Sequence, residues 1–593
     1  MRSLLLGIAF LLAADAGRAT AQSPQFVPAY PLYCHGPLTT SSPSGGKTTT
    51  PFIWAPTGAG AAIPGPGQCA WADRAPRGVE IQPGGGNVIC DFSGAMQSVP
   101  AGTFVEIGVA RDPLDNNCMH LVRYLGTVSP PFSAVPALPP FVRQSIASLT
   151  ASQIASLRKG FQVMMSRPPS DPTSYRFQAN IHGTFDNPTT PAQMESWNQC
   201  EHGSFYFLSW HRMYLYFFDR ILRAASGDPN LVLPYWNWTD SAQRTLPVAF
   251  RQPADSSNPL FIPSPGRPDA LNAGTASLDA GTVDDTVAFA EVSFETGGSL
   301  SGNGFGGGTS PPMQFDSAYG DLELQPHNVV HSALGGLMGN PDTAAQDPIF
   351  WLHHANVDRL WNRWLQQGLG RADPTDSAWL NTTFTFYDEA GHAVYLTGAE
   401  VVDTVGQLNY RYDDDPAPQI PAPQMAQINP QILAEAGVVR GEAPITLESV
   451  PVRVRVPLTE FARGALGSLA REPARRVFLR LDDIRTEKPP SFYYSIYLNP
   501  PAGQKLDSQT PGFVGNFSLF SLVPHRMPGG KPMAGDVFVD YNISSLVGLI
   551  LDRNPDEVLV VLVPRGLVDA HGGPLPVPAE VRGTVGSVQI IGR

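Results

Sequence analysis

The chain is short of charge. Only 15% of its 593 residues are Asp, Glu, Lys or Arg, and no run of like charge stands out. Its formal net charge of −13 argues against a nucleic-acid partner. No 20- to 50-residue repeat is visible. Nothing downstream of the N-terminus is long and apolar enough to span a bilayer, so no membrane partner is expected. The best stretch, Leu546 to Leu551, is followed by Asp552, Arg553, Asp556 and Glu557. Cysteine is scarce: Cys34, Cys69, Cys90, Cys118 and Cys200. Proline (59) and glycine (57) are abundant, which implies long ordered loops and many turns rather than a coiled coil or a disordered chain. A length of 593 exceeds one ordinary core and predicts two or three domains.

The N-terminus has the pattern of a secretory signal. Arg2 supplies the positive end, Leu4 to Ala14 the apolar stretch, and Ala19-Thr20-Ala21 a small-residue cleavage site. Residues 1–21 are therefore expected to be removed, and the chain to be exported (periplasmic or secreted). Disulfides are allowed there. Cys34, Cys69, Cys90 and Cys118 are the candidates, with three possible connectivities.

Six histidines fall into two triplets: His182, His202 and His211, then His327, His331 and His354. Neutral imidazole is the commonest protein ligand for copper, zinc and iron. Three nitrogens per ion, with no carboxylate or thiolate among them, suit copper. A dinuclear zinc or iron hydrolase is disfavoured because such sites usually include bridging carboxylates. His327 and His331 are four apart, which on a helix puts both rings on one face. Asp347 and Pro348 read as the start of a helix that carries His354. Leu149 to Met165 and Phe205 to Ala225 also read as helices, and His182 is expected in a loop. His353 adjoins His354 but faces about 100° away on a helix, so it is read as structural.

The strings around these histidines are specific. His202 opens HGSFYFLSWHR, which runs through Phe207 and Trp210 to His211 and Arg212. Asp347, Pro348, Phe350, His354 and Asp358 form a second pattern, and PYWNW (Pro234 to Trp238) lies between the two. Together they resemble the tyrosinase, catechol oxidase (polyphenol oxidase) and molluscan haemocyanin family of type 3 copper proteins. The resemblance covers residues 145 to 412. One departure is Asp219, where the first pattern usually ends in Glu.

The resemblance implies a mainly α catalytic domain, a four-helix bundle holding two copper ions on those six histidines. The expected layout is an N-terminal Cys-containing loop/β segment (22–144), the dicopper domain (145–412), a linker (413–445) and an antiparallel β-sandwich lid (446–593). The implied reaction uses O2 to oxidise o-diphenols to o-quinones, with small phenols as substrates. Glu323 and Asn328, in the places where the family positions the proton-moving pair, extend this to hydroxylation of monophenols. An o-aminophenol oxidase and a haemocyanin-like O2 carrier without turnover are the alternatives. Cys200 lies two residues before His202; the family implies a Cys200–His202 thioether, whereas a lone cysteine is otherwise a buried thiol. Arg212, Asp358 and Asn237 are expected to support the ligands or the helix packing, Asp358 foremost. Pro341 stands where plant catechol oxidases often carry a Phe gate, and Ser332 beside His331 is small, so a wide entrance is expected. The excursion over 252–312 is expected to border that entrance.

Overall fold

The computed structural model describes residues 140–593, except 297–303, 313–314, 406, 416–430, 438–443, 470–475, 487–489, 521, 523–536, 554–555, 579–582 and 593. Before residue 140 it describes six strands. The signal segment 1–21, Cys34 and Cys118 lie outside the described residues. Two compact units emerge: residues 1–143 with 375–412, and residues 144–374 with 413–593.

In the first unit the six strands form one sheet, ordered Cys69–Ala72, Asn87–Cys90, Met119–Val128, Phe104–Arg111, Thr50–Trp54 and Glu80–Ile81. Antiparallel register puts Cys69 opposite Cys90. Thr383–Tyr387 and Ala393–Thr397 make a hairpin, and Tyr410–Tyr412 pairs in parallel with Phe141–Arg143. The Arg143 guanidinium lies 3.8 Å over the Tyr410 ring. A third strand is expected from the β-branched run Val401 to Val405, but none forms there: a single helical turn, Gly398–Glu400, precedes it, capped by Thr397, whose amide the Glu400 carboxylate accepts.

The second unit holds the helices. α1 (Ala151–Ser166) begins at a capping box in which Thr150 and Gln153 satisfy each other's amides. α2 is Tyr175–His182, so His182 ends a helix rather than lying in a loop; Ser174 caps it, a signal hidden by the short span. α3 (Phe207–Ser226) stops at Gly227, whose φ of 72° suits glycine. α4 is Asn328–Leu334 and α5 is Ile349–Gln366. Asp347 Oδ1 accepts the Ile349 amide at the start of α5, and Arg267 pairs with the same buried carboxylate. α1 meets α3 at Gly160, where a Cβ would lie 2.7 Å from Leu222 Cδ1. α3 meets α5 through Phe218 and Trp351, whose rings stack at 3.4 Å.

The same unit contains two sheets built from the C-terminal third. One contains Gln431–Gly437, Gly583–Gly592, Val477–Thr486 and Val539–Asn542, with Ile445–Leu447 alongside. The other runs Val452–Pro457, Glu557–Arg565, Tyr493–Leu498 and Phe513–Phe517. Leu479, Val588 and Ile590 from the first and Val456, Ile496 and Val560 from the second enter one buried apolar cluster. Burying that shared face holds the sheets together.

Candidate metal centre

All six triplet histidines come together, and all are buried. α2 delivers His182 from its last turn and α3 delivers His211 from the start of its second. His202 comes from the segment before α3. His182, His202 and His211 lie with ring centroids 5.2 to 5.5 Å apart. His327 ends a widened helical turn broken at Gln325, whose backbone is extended; His331 follows on α4 and His354 on α5. The two groups touch where His211 and His354 stack at 4.4 Å.

The outer ring nitrogens set the tautomers. His182, His211 and His331 each place Nδ1 on a backbone carbonyl, of Pro341 (2.9 Å), Phe207 (2.8 Å) and Met338 (2.8 Å). A carbonyl only accepts, so Nδ1 carries the proton and Nε2 is left as a lone pair. His327 Nδ1 makes the same bond to Asn328 Oδ1 at 2.9 Å. Nε2 of His354 lies 3.4 Å from Nε2 of His327 and 3.3 Å from Nε2 of His331. Burial first, and then neighbouring imidazoles, hold His211, His327, His331 and His354 well below the ordinary histidine range. Neutral lone pairs crowded this closely repel each other unless a cation lies between them. Nitrogens 3.3 Å apart are spaced like corners of a tetrahedron with metal bonds of roughly 2 Å. His211 Nε2 and His354 Nδ1 are buried without a hydrogen-bond partner. The residues fit a pair of metal ions.

His353 lies among the second trio by distance. Its Nδ1 receives the Trp238 indole N–H at 3.1 Å. Indole can only donate, so the neutral His353 ring keeps its proton on Nε2 and has no lone pair there. Burial lowers its pKa to about 3 and keeps it neutral. Cys200 is buried, and its sulfur falls close to a ring nitrogen of both His182 and His202.

Around the rings, both Glu323 carboxylate oxygens accept the Gly203 amide at 3.0 Å. Burial raises the Glu323 pKa well above the usual carboxylate range against that bond, and Glu201 adds to the rise. Arg212 bonds Asp358 and, at 2.7 Å, Asn362, and lies 3.6 Å over the Trp361 ring, tying α3 to α5. Asp219 accepts the Leu233 amide at 2.7 Å and Arg223 at 2.6 Å, so its shorter reach serves the α3 exit. Asn237 accepts from Thr239 and Arg359. The excursion runs beside the segment of His202, where Phe205 N donates to Gly308 O, and just beyond its end Asp316 N donates to His202 O.

Residues 172–367 match the common central domain of tyrosinase, and residues 373–424 match the polyphenol oxidase middle domain. Residues 438–531 match a domain of unknown function. A tyrosinase of Hahella sp. (strain CCB-MM4) is 31% identical over 465 residues, covering 72% of this chain and 96% of that protein. The chain belongs to the tyrosinase family. A chloroplastic polyphenol oxidase of Vitis vinifera is 29% identical over 448 residues, covering 70% of each protein. The fold matches a structure of latent apple tyrosinase at a TM-score of 0.51 and 23% identity, over 75% of this chain and 97% of that one. As a family member the chain is a copper oxidoreductase with two copper ions, acting on phenolic substrates with O2. Among the described residues no helix is long and apolar enough to cross a membrane.

Two phenylalanines that the sequence gives no reason to single out cover the rings. Phe520, from the chain just after strand Phe513–Phe517, lies parallel to His331 at 4.0 Å. Phe315 lies parallel to His202 at 5.1 Å, tilted by 2°. Neither position has a spacing or motif that links it to the histidines.

Proposed function

We propose that His182, His202 and His211 hold one copper and His327, His331 and His354 the other, in a site that oxidises o-diphenols to o-quinones and hydroxylates monophenols. The observation that carries this is the inward convergence of neutral Nε2 lone pairs, fixed by carbonyl acceptors on the far side of the rings. When bound, the copper pair supplies the two-electron exchange with O2 that the reaction needs. The chain supplies aromatic surroundings and the flat imidazole face of His331, on which Phe520 lies and against which a phenol ring can lie in its place. For monophenols a base must take a proton whose pKa is near 10. Glu323 is assigned that task. Its raised proton affinity narrows the gap to the phenol, and Gly203 N–H aims its carboxylate. Asn328, bonded to His327, orients the neighbouring ligand. Asp358 and Arg212 brace the helices that carry His354 and His211.

The same reading includes a Cys200–His202 thioether, supported by the buried sulfur beside that ring. It also includes a four-helix bundle holding the two coppers, a C-terminal sandwich acting as a lid, and export after removal of residues 1–21. The lid reading is supported by Phe520 occupying the His331 face, and by the fold shared with a latent apple tyrosinase. Ser518 Oγ donates to Asn328 O at 3.0 Å, so Ser332 donates to Ser518 across 2.6 Å. Asn516 N donates to Gln325 Oε1 at 2.6 Å.

The test is copper analysis together with catechol oxidation, read as O2 uptake and trapped o-quinone, before and after limited proteolysis. Two coppers per chain, and quinone formation that rises on proteolysis, are expected. Fewer than two coppers, or no quinone from the cleaved protein, would sink the reading.

A further inference from the structure

We propose that Phe315 determines which phenols the site accepts, acting as a fixed wall over the first histidine trio; this rests on the phenol-oxidase reading above. Three observations place it there. Its ring lies parallel to His202, with centroids 5.1 Å apart, and it keeps 8% of its surface exposed where His202 is fully buried. Its backbone position is set by hydrogen bonds next to the histidine: Asp316 N donates to His202 O at 2.9 Å and Ala318 N to Gly203 O at 2.8 Å. The approach is too close for any other residue at 203, because a Cβ on Gly203 (φ 66°) would sit 1.9 Å from Asp316 O.

The second ring shows where a substrate lies relative to this wall. Phe520 stacks on His331 at 4.0 Å and meets His202 edge-on at 6.3 Å. A phenol that takes the place of Phe520 therefore points one side of its ring toward the imidazole that Phe315 covers. Substituents on that side meet Phe315, and compact rings do not. Phe315 belongs to the segment tied to His202, so it stays when Phe520 is withdrawn.

The experiment uses the full-length, copper-loaded chain carrying Phe520→Ala, with Phe315 intact or changed to Leu or Ala. Two quantities are compared: kcat/KM for catechol and 4-tert-butylcatechol, and calorimetric Kd for benzoate and 4-tert-butylbenzoate, which are not oxidised. Phe315→Ala should raise the bulky-to-compact ratio by roughly tenfold in both measurements. Phe315→Leu should fall between, with copper at two per chain. Unchanged ratios in both variants would overturn the proposal while leaving the phenol-oxidase reading intact. Loss of copper in both variants would also overturn it, by assigning Phe315 to holding His202. If the parent holds two coppers and oxidises no catechol, the underlying reading fails instead, and the benzoate ratios alone judge the wall.

Discussion

The two phenylalanines that cover the histidines differ in how they are held. Phe315 is fixed by main-chain hydrogen bonds to the residues at and after His202. Phe520 is held by its stack on His331 and by neighbouring contacts, Ser518 with Ser332 and Asn516 with Gln325. A Cβ at Gly203 would sit 1.9 Å from Asp316 O, so this main-chain pairing admits only glycine there. Hydroxyl contacts exchange with water at little net cost, about 0.5–1.5 kcal/mol each. If the C-terminal sheets act as the proposed lid, the first trio carries a permanent cover and the second a removable one. In this reading, selectivity belongs to the helical part of the chain and latency to the sheets.

The largest effect tests the floor on which both rings rest. His354 stacks on His211 and meets His327 and His331 through Nε2, so it links the two trios. His354→Ala should lower copper from two per chain to about one and reduce catechol turnover by at least about a thousandfold, because groups that act as a unit fail together. Full copper and residual turnover above a tenth would show that the trios are not a single site.

Next comes the base. Glu323→Gln should cut monophenol turnover on the order of 10²-fold or more and leave diphenol turnover nearly unchanged. The sign with pH follows from the raised pKa: Glu323 is protonated and idle below it and becomes a base above it. Monophenol turnover should therefore climb with pH on a limb lying above the usual carboxylate range. The variant should lack that limb, and an identical profile in variant and parent would assign the proton transfer elsewhere.

How far the sequence reaches differs between the two covers in the same way. The helical part was legible because its chemistry repeats at fixed spacing. His327 and His331 share a face, Asp347 starts α5, and Thr150 caps α1. His182 reads as a loop residue because an eight-residue helix carries too few turns to show a period, yet it ends α2. The run at Val401 reads as strand, yet a capped turn precedes it and no partner strand forms among the described residues. Helix geometry turns His353 about 100° from His354, a difference the sequence shows, while the Trp238 indole N–H on its Nδ1 is seen only in the structure. Phe315 and Phe520 were not legible at all. Each reaches the histidines through chain folding across long separations, and a single aromatic in a loop or after a strand looks like ordinary core.

The removable cover makes a smaller prediction. Stacking is worth roughly 0.5–1.5 kcal/mol beyond buried area, so Phe520→Ala should raise catechol turnover of the full chain by up to about tenfold. The rise should be similar for compact and bulky phenols, since this ring excludes all of them. Phe315→Ala should do the reverse, changing the ratio and not the overall level. A Phe520 variant that alters the ratio alone would exchange the roles of the two rings.

The smallest effect concerns how the sheets are held to the helices away from the site. Arg476 reaches Glu291 at 2.6 and 2.7 Å, and the Glu291 carbonyl accepts the Trp364 indole N–H at 2.7 Å from α5. Arg476 is 40% exposed while Glu291 is 5% exposed, so water screens one partner and the pair is worth at most about 1 kcal/mol. Arg476→Ala should therefore raise catechol turnover by less than about fivefold, and by less still at high salt, where the pair is already weakened. If this variant instead activates as strongly as Phe520→Ala, the ion pair rather than the aromatic stack keeps the cover in place. The contrast between the two phenylalanines would then lie in how their chain segments are anchored, with the ring of Phe520 only marking where the segment ends up.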